Sequence, residues 1–209
     1  MSLPITMQYR AVEFIKSHLV RYISAIFKAA EKGKILFTDG TNQITFSRTP
    51  YAVKEASWVA RETPAILVGS ATGAYEEQTF AENRIYDESN EPNGQYRYSG
   101  GNLDLDVELS VRANTKEERD NIADILCIFL THAAAKDYFS KQDIKLPRPP
   151  VLSGESEIME PGIEYPIYAT SVGVAVHSSW VEWEPLEARL IDVISDVLPE
   201  INLWYPPKK

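Results

Sequence analysis

The sequence Asn102-Leu-Asp-Leu-Asp-Val-Glu-Leu-Ser-Val-Arg-Ala113 alternates apolar and polar residues without a break. The apolar positions are Leu103, Leu105, Val107, Leu109 and Val111, and the polar positions between them include Asp104, Asp106 and Glu108. A strand projects successive side chains to opposite faces. The pattern therefore predicts a strand with one buried apolar face and one solvated acidic face.

A helix is predicted directly after this strand. Thr115, with Glu118 three residues later, matches the Thr-x-x-Glu pattern of a capping box. Asp120 lies in the first turns, where the helix dipole favours negative charge. Apolar residues then recur at helical spacing at Ile122, Ile125, Leu126, Phe129, Leu130 and Ala133. The sequence predicts a strand-helix unit in which the helix packs on the apolar face of the strand.

Similar reasoning predicts the other elements of the chain. Amphipathic helices are expected over residues 8–30 and from Glu184-Pro185 to Val197, with Pro199 ending the second. Short strands are expected at 35–37, 44–46, 65–68, 167–177 and 180–183, with a hairpin turn over 38–42 between the first two. This order predicts one α+β domain over residues 1–209, with a small, mostly antiparallel sheet covered by helices.

Three segments have the composition of arms. Residues 69–101 are rich in Gly, Ser, Asn and Glu and predict a long loop or hairpin arm, which is either a partner-contacting arm or a flexible loop. Its tyrosines are Tyr75, Tyr86, Tyr96 and Tyr98. Residues 141–166 form a proline-rich excursion. The tail 199–209 carries Trp204 and Tyr205, a pair that is expected to dock on its own domain or on a neighbouring subunit.

Charge and cysteine content restrict the class of protein. The 209-residue chain has a net charge of −9, which argues against wrapping a nucleic-acid backbone. Basic residues predominate in 1–40 and acidic residues in 76–108, so opposite patches are either solvated faces or surfaces that meet head to tail in a ring. The single Cys127 predicts no internal disulfide and a buried packing role. The sequence shows neither a signal peptide nor an apolar run long enough for a membrane span.

A search for catalytic motifs finds none of the common ones. The chain lacks a phosphate-binding Gly-x4-Gly-Lys-Ser/Thr loop, a His-Glu-x-x-His motif and a Gly-x-Ser-x-Gly elbow, and its three histidines are scattered. Asp104, Asp106 and Glu108 stand about 7 Å apart along one strand face, a spacing open to a divalent ion or a glycosidase-like pair. The alternative is a face kept polar for solubility or for a basic neighbour. No cofactor and no enzyme activity are predicted.

The stretch Leu103–Leu130, with the helix at 8–30 and the strands at 167–183, resembles the tail terminator (tail completion) proteins of tailed bacteriophages and their neck relatives. The strand ending in Arg-Ala-Asn-Thr and the following Glu-Arg-Asp-x-Ile-Ala-Asp-Ile-Leu carry the resemblance. The arms at 69–101 and 141–166 and the C-terminal segment make this chain larger than simple members.

The resemblance implies a virion structural protein, assembled in the host cytoplasm. Subunits of this family form a ring, expected to be a hexamer, at the head-proximal end of the tail. The ring ends growth of the tail tube and joins the tail to the head-tail connector protein. Expected partners are the tail tube protein and, in contractile tails, the sheath protein. DNA is expected to pass through the lumen without specific binding.

Several residues are expected to lie at interfaces if the resemblance holds. They are Tyr75, Tyr86, Tyr96, Tyr98, Asp104, Asp106, Glu108, Trp204 and Tyr205. Three alternatives remain open at this stage. The chain is another neck, connector or sheath-capping component, a small metal-dependent hydrolase that uses Asp104, Asp106 and Glu108, or a host-side adaptor that binds through the tyrosine arm.

Overall fold

The computed structural model describes residues 11–59, 62–78, 96–159 and 164–185. The chain forms two units, and the larger comprises Arg10–Glu76 and Gly101–Trp180. The helices are α1 (Ala11–Glu31), α2 (Lys116–Thr131) and α3 (Ala133–Ser140). The strands are β1 (Tyr51–Lys54), β2 (Ala65–Gln78), β3 (Tyr96–Ala113), β4 (Ile144–Lys145), β5 (Val151–Ile158) and β6 (Ile167–Pro185).

The six strands form one mixed sheet in the order β1-β2-β3-β6-β4, and β5 also pairs with β6. β1 is parallel to β2, whereas β4 and β5 are antiparallel to β6. β2 and β3 run in opposite directions, as shown by two contacts: Gly69 lies beside Glu108, and Gly73 lies beside Asp104. The α+β class and the mostly antiparallel sheet predicted from the sequence are therefore confirmed.

The decisive strand and helix lie where the sequence predicts them. The five alternating apolar residues from Leu103 to Val111 are at most 6% exposed, and they pack with the buried face of α2 in one core. α1 adds its own apolar stripe to that core, including Ile15, Leu19, Ile23 and Phe27. The Thr115 hydroxyl accepts a hydrogen bond from the Glu118 N–H at 3.2 Å, which confirms the predicted N-cap. Ala133 is exposed and begins α3 instead of extending the α2 stripe.

The strands predicted at 35–37 and 44–46 do not form, so this part of the predicted hairpin is wrong. The turn forms, with the Asp39 carboxylate accepting from the N–H groups of Thr41 and Asn42 at 2.8 and 2.6 Å. This contact holds the pKa of Asp39 below its usual range. The residues that flank this turn pair through one isolated antiparallel bridge, between Thr38 and Gln43, and do not form strands. Phe37 instead packs against other rings of the core, so the segment follows the core surface rather than joining a ladder.

Strand structure extends further than the sequence indicates. β2 and β3 include residues 69–78 and 96–101, so the predicted arm begins as two neighbouring strands and is not a loop there. The excursion at 141–166 contains β4 and β5. β6 continues through Pro185 as a single strand, so residues 184–185 do not begin a helix. The predicted helix beyond residue 185 and the tail at 199–209 lie outside the described residues.

Candidate functional site

The predicted acidic face of β3 is open to solvent and its carboxylates have separate partners. The Asp104 and Asp106 side chains are 57% and 61% exposed. Asp104 Oδ1 lies 2.7 Å from Nδ1 of His177 in β6. Asp106 Oδ1 accepts a hydrogen bond from Arg148 Nη2 at 2.5 Å. The first two carboxylates of the face therefore contact groups from the neighbouring strand β6 and from the segment between β4 and β5.

The third carboxylate of this face, Glu108, is held by hydroxyl groups. It accepts a hydrogen bond from Ser171 of β6 at 2.6 Å and one from Ser70 of β2 at 3.3 Å. These contacts tie the two strands that flank β3 to its centre. The Ser171 hydroxyl thus contacts Glu108 rather than His177, so it is not placed as a nucleophile beside the histidine.

The far end of the face is occupied by a cation on an aromatic ring. The Arg112 guanidinium carbon lies 4.1 Å from the centre of the Trp58 ring, and Arg112 Nη2 lies 3.7 Å from Glu55. The Arg112 side chain is only 12% exposed. A guanidinium stacked on indole in partial burial is a favourable contact. The face therefore carries a chain of local pairs, from Asp104 to Arg112, rather than a concentrated negative charge.

This arrangement does not assemble a metal centre in the described part of the chain. Ligands to one ion must converge within about 2.5 Å of a common point, whereas these three carboxylates are spread along a strand. No group of three or more His, Cys, Asp or Glu residues among the described residues has the geometry to hold a metal ion. A shallow depression of about 600 Å³ lies beside Asp104 and Asp106, with Thr72, Pro147 and Arg148 on its wall.

The remaining candidate reactive groups have structural roles. Cys127 is half-buried rather than fully buried as predicted, and burial together with Asp124 raises the pKa of its thiol. A raised pKa disfavours the thiolate that a nucleophile needs. His132 Nδ1 accepts a hydrogen bond from the Ala134 N–H at 3.2 Å and so caps α3. His18 is buried, with Nδ1 3.2 Å from the Tyr138 hydroxyl.

The predicted tyrosine contacts are only partly within the described residues. Tyr75 lies in β2 and is 55% exposed. Tyr96 and Tyr98 lie in the first residues of β3. Tyr86, Trp204 and Tyr205 lie outside the described residues. The structure therefore brings the three acids together on one face and leaves the partner role of the tyrosines as a prediction.

One exposed surface was missed from the sequence. β5 is an edge strand in which seven of eight residues are exposed, and its apolar residues Val151 and Leu152 are 59% and 53% exposed. Met159 just beyond it is 66% exposed. The signal in the sequence is Val151-Leu152 followed by the polar run Ser-Gly-Glu-Ser-Glu after a proline-rich stretch. Exposed apolar residues on an open strand edge are typical of a surface that pairs with another chain.

No protein-family model matches the chain, and no curated protein matches it significantly. None of the helices described here combines the length and the apolar character that a membrane crossing requires.

Proposed function

We propose that this protein is a ring-forming virion component of a tailed bacteriophage. In this proposal the ring stands at the head-proximal end of the tail, ends tail-tube growth and joins the tail to the head-tail connector. The observation that carries the proposal is the sheet of the larger unit. Among the described residues it has an open edge at β5, exposed apolar residues on that edge and a polar face whose charged groups contact local partners.

The polar face of β3 suits a passage for DNA in this proposal. Asp104, Asp106 and Glu108 would repel phosphates, while Arg148 pairs with Asp106 and partly offsets this negative charge. A lumen of this kind lets the duplex slide without binding it tightly. No cofactor is needed, and the tail tube protein, the connector and, in contractile tails, the sheath protein are the proposed neighbours.

The first test is the mass and shape of the particle. A hexamer of the 23.6 kDa chain has a mass of about 142 kDa, which light scattering after size-exclusion chromatography measures directly. Negative-stain images of the same fraction should show rings with a central hole. A monomer at concentrations of tens of micromolar, with no rings in the images, would contradict the proposal.

The second test is the activity that the proposal assigns. The purified protein is added to growing tubes of the tail tube protein encoded with it, and tube lengths are measured by electron microscopy. Tubes should stop at a length that depends on when the protein is added, with a ring at one end. A charge-reversed control, Asp137→Lys on the exposed side of α3, should cap equally well. Tubes that grow equally long with and without the protein would contradict the terminator role while leaving a ring intact.

A further inference from the structure

We infer that the ring closes by pairing the β5 edge of one copy with the β1 edge of the next, so that the sheet continues from subunit to subunit. This inference rests on the proposed ring and names its interface. It follows from three observations on the described residues: two open strand edges, their opposite directions and their opposite charges.

The two open edges lie at opposite ends of the sheet. β1 is the first strand in the order, and β5 pairs with β6 on the side away from β3. In the described part of the chain, neither strand has a second neighbour in the sheet. β5 presents Val151 and Leu152, and β1 presents the half-buried Tyr51 and Val53. Each edge thus offers unpaired backbone groups and apolar side chains.

The strand directions favour this pairing. β1 is parallel to β2, and β2 is antiparallel to β3. Asp104 contacts His177 and Glu108 contacts Ser171, so β3 is antiparallel to β6, which is antiparallel to β5. β1 and β5 therefore run in opposite directions. A ring axis along the strands keeps these directions in every copy, so β5 meets the next β1 in the more stable antiparallel pairing.

The charges of the two edges are opposite and lie on the same side of the sheet. β5 carries Glu155 and Glu157 and no basic residue, whereas β1 carries Lys54 and no acidic residue. The two glutamates contact Arg119 and Lys116 of α2, and Lys54 contacts Glu13 of α1, so all three project towards the helices. A β5–β1 contact brings unlike charges together, whereas a two-fold β5–β5 contact brings glutamates against glutamates.

These charges are available to a neighbour although each already has a partner in its own chain. The side chains of Glu155, Glu157 and Lys54 are 71%, 55% and 37% exposed. The Glu157–Lys116 and Lys54–Glu13 pairs are exposed on both sides and contribute little to stability, whereas the Arg119 partner of Glu155 is only 3% exposed. Because the three charged groups themselves remain exposed, a second opposite charge at the interface adds to these local pairs.

Charge reversal at the two edges tests the inference. We expect Glu157→Lys and Lys54→Glu each to weaken the assembly at least roughly tenfold, because each places like charges across the interface. Mixing the two variants should restore the assembly, since every contact then joins either a native or a reversed pair. The double variant should also assemble alone. Asp137→Lys and Lys136→Glu, the same reversals on exposed positions of α3, are the matched controls and should assemble as the wild type does.

Light scattering separates the possible outcomes, with circular dichroism and thermal melts confirming that each variant is folded. If the wild type forms rings and Lys54→Glu does not weaken them, this interface is wrong and the ring proposal stands. If Glu157→Lys alone acts and the particle is a dimer, β5 pairs with itself and the inference is overturned. If the wild type stays monomeric, the proposed ring and this interface both fail.

Discussion

The carboxylate of Glu118 accepts two hydrogen bonds from Ser47, one from its N–H at 2.6 Å and one from its hydroxyl at 2.7 Å. Glu118 lies in the first turn of α2 and is 8% exposed, and its other carboxylate oxygen is buried with no hydrogen-bond partner among the described residues. Ser47 lies in the segment that joins α1 to β1. The pair therefore fastens that connection to the helix, in place of the reciprocal capping-box bond that the sequence predicts for Glu118.

Removing this carboxylate should destabilise the fold. Glu118→Ala leaves the Ser47 N–H without its partner, and we expect a loss of about 2–3 kcal/mol in the free energy of unfolding. Urea denaturation followed by circular dichroism measures it. Glu117→Ala, at the exposed neighbouring position of the same turn, is the control and should change stability by less than about 0.5 kcal/mol. Equal effects of the two substitutions would show that the Ser47 contact contributes nothing.

Gly73 is required by the close approach of β2 and β3. A Cβ atom at this position would overlap the backbone carbonyl of Asp104. Gly73→Ala should therefore lower the free energy of unfolding by about 1–3 kcal/mol, the range for overpacked sites. Gly173→Ala is a matched control in β6, because its Cβ would lie 3.7 Å from the nearest atom, the Val151 carbonyl oxygen. Thermal melts of both variants test the difference, and an unchanged melting temperature for Gly73→Ala would contradict it.

The sequence predicted β3 and α2 because their burial follows a regular period. From Leu103 to Val111 each apolar residue of β3 is buried and each intervening acid is exposed, so the period of two is complete there. β5 has no such signal. Seven of its residues are exposed, and backbone pairing with β6 rather than a buried face fixes it as a strand. A strand of this kind is invisible to a search for alternating hydrophobicity.

The residues that contact the acidic face also cannot be predicted from local sequence patterns. His177 lies 73 residues from Asp104 and Arg148 lies 42 residues from Asp106, so their contacts depend on which strands become neighbours. Local patterns specify the faces of a strand but not its neighbours across the sheet. The same limit explains why the local pattern predicts a capping-box role for Glu118, since its partner Ser47 is 71 residues away.

Divalent cations should not stabilise this protein through the acidic face. The carboxylates there contact separate partners, so none of them is presented with others around a common point. We expect calcium, magnesium and manganese at millimolar concentration to leave the melting temperature unchanged in the wild type and in Asp106→Asn. The substitution itself removes one exposed ion pair, worth about 0–1 kcal/mol. A metal-dependent rise in melting temperature that Asp106→Asn abolishes would contradict this expectation and support the alternative of a metal-dependent hydrolase.

His18 should make the fold less stable in mild acid. Burial, aided by the nearby Arg21, lowers the pKa of His18 below its ordinary value of 6.5. Below pH 6.5 the unfolded chain therefore gains a proton that the folded chain resists, and stability falls as the pH drops through that range. In His18→Gln the loss of stability between pH 7.5 and 5.5 should be smaller than in the wild type. Urea midpoints at several pH values measure both slopes, and equal slopes would remove His18 as the cause.

Arg119 links the buried start of α2 to the open edge strand. Its side chain is 3% exposed, and Nη2 lies 2.6 Å from Asp120 and 3.0 Å from Glu155 of β5. Arg119→Ala should lower the free energy of unfolding by about 1–3 kcal/mol, because the buried stem loses its packing and Glu155 loses its cation. Lys116→Ala removes the exposed partner of Glu157, 3.2 Å away, and should change stability by less than about 1 kcal/mol.

Hydrogen exchange distinguishes a general loss of stability from a loosened edge in the Arg119 variant. The control is a core variant such as Ile122→Val, with urea added until its stability equals that of Arg119→Ala. The β5 amides that hydrogen-bond to β6 should exchange faster in Arg119→Ala than in this control, because Glu155 no longer connects β5 to α2. The amides of β3 should exchange equally in the two proteins. If β5 and β3 change in parallel, Arg119 acts through the core alone and the ion pair with Glu155 does not hold the edge strand in place.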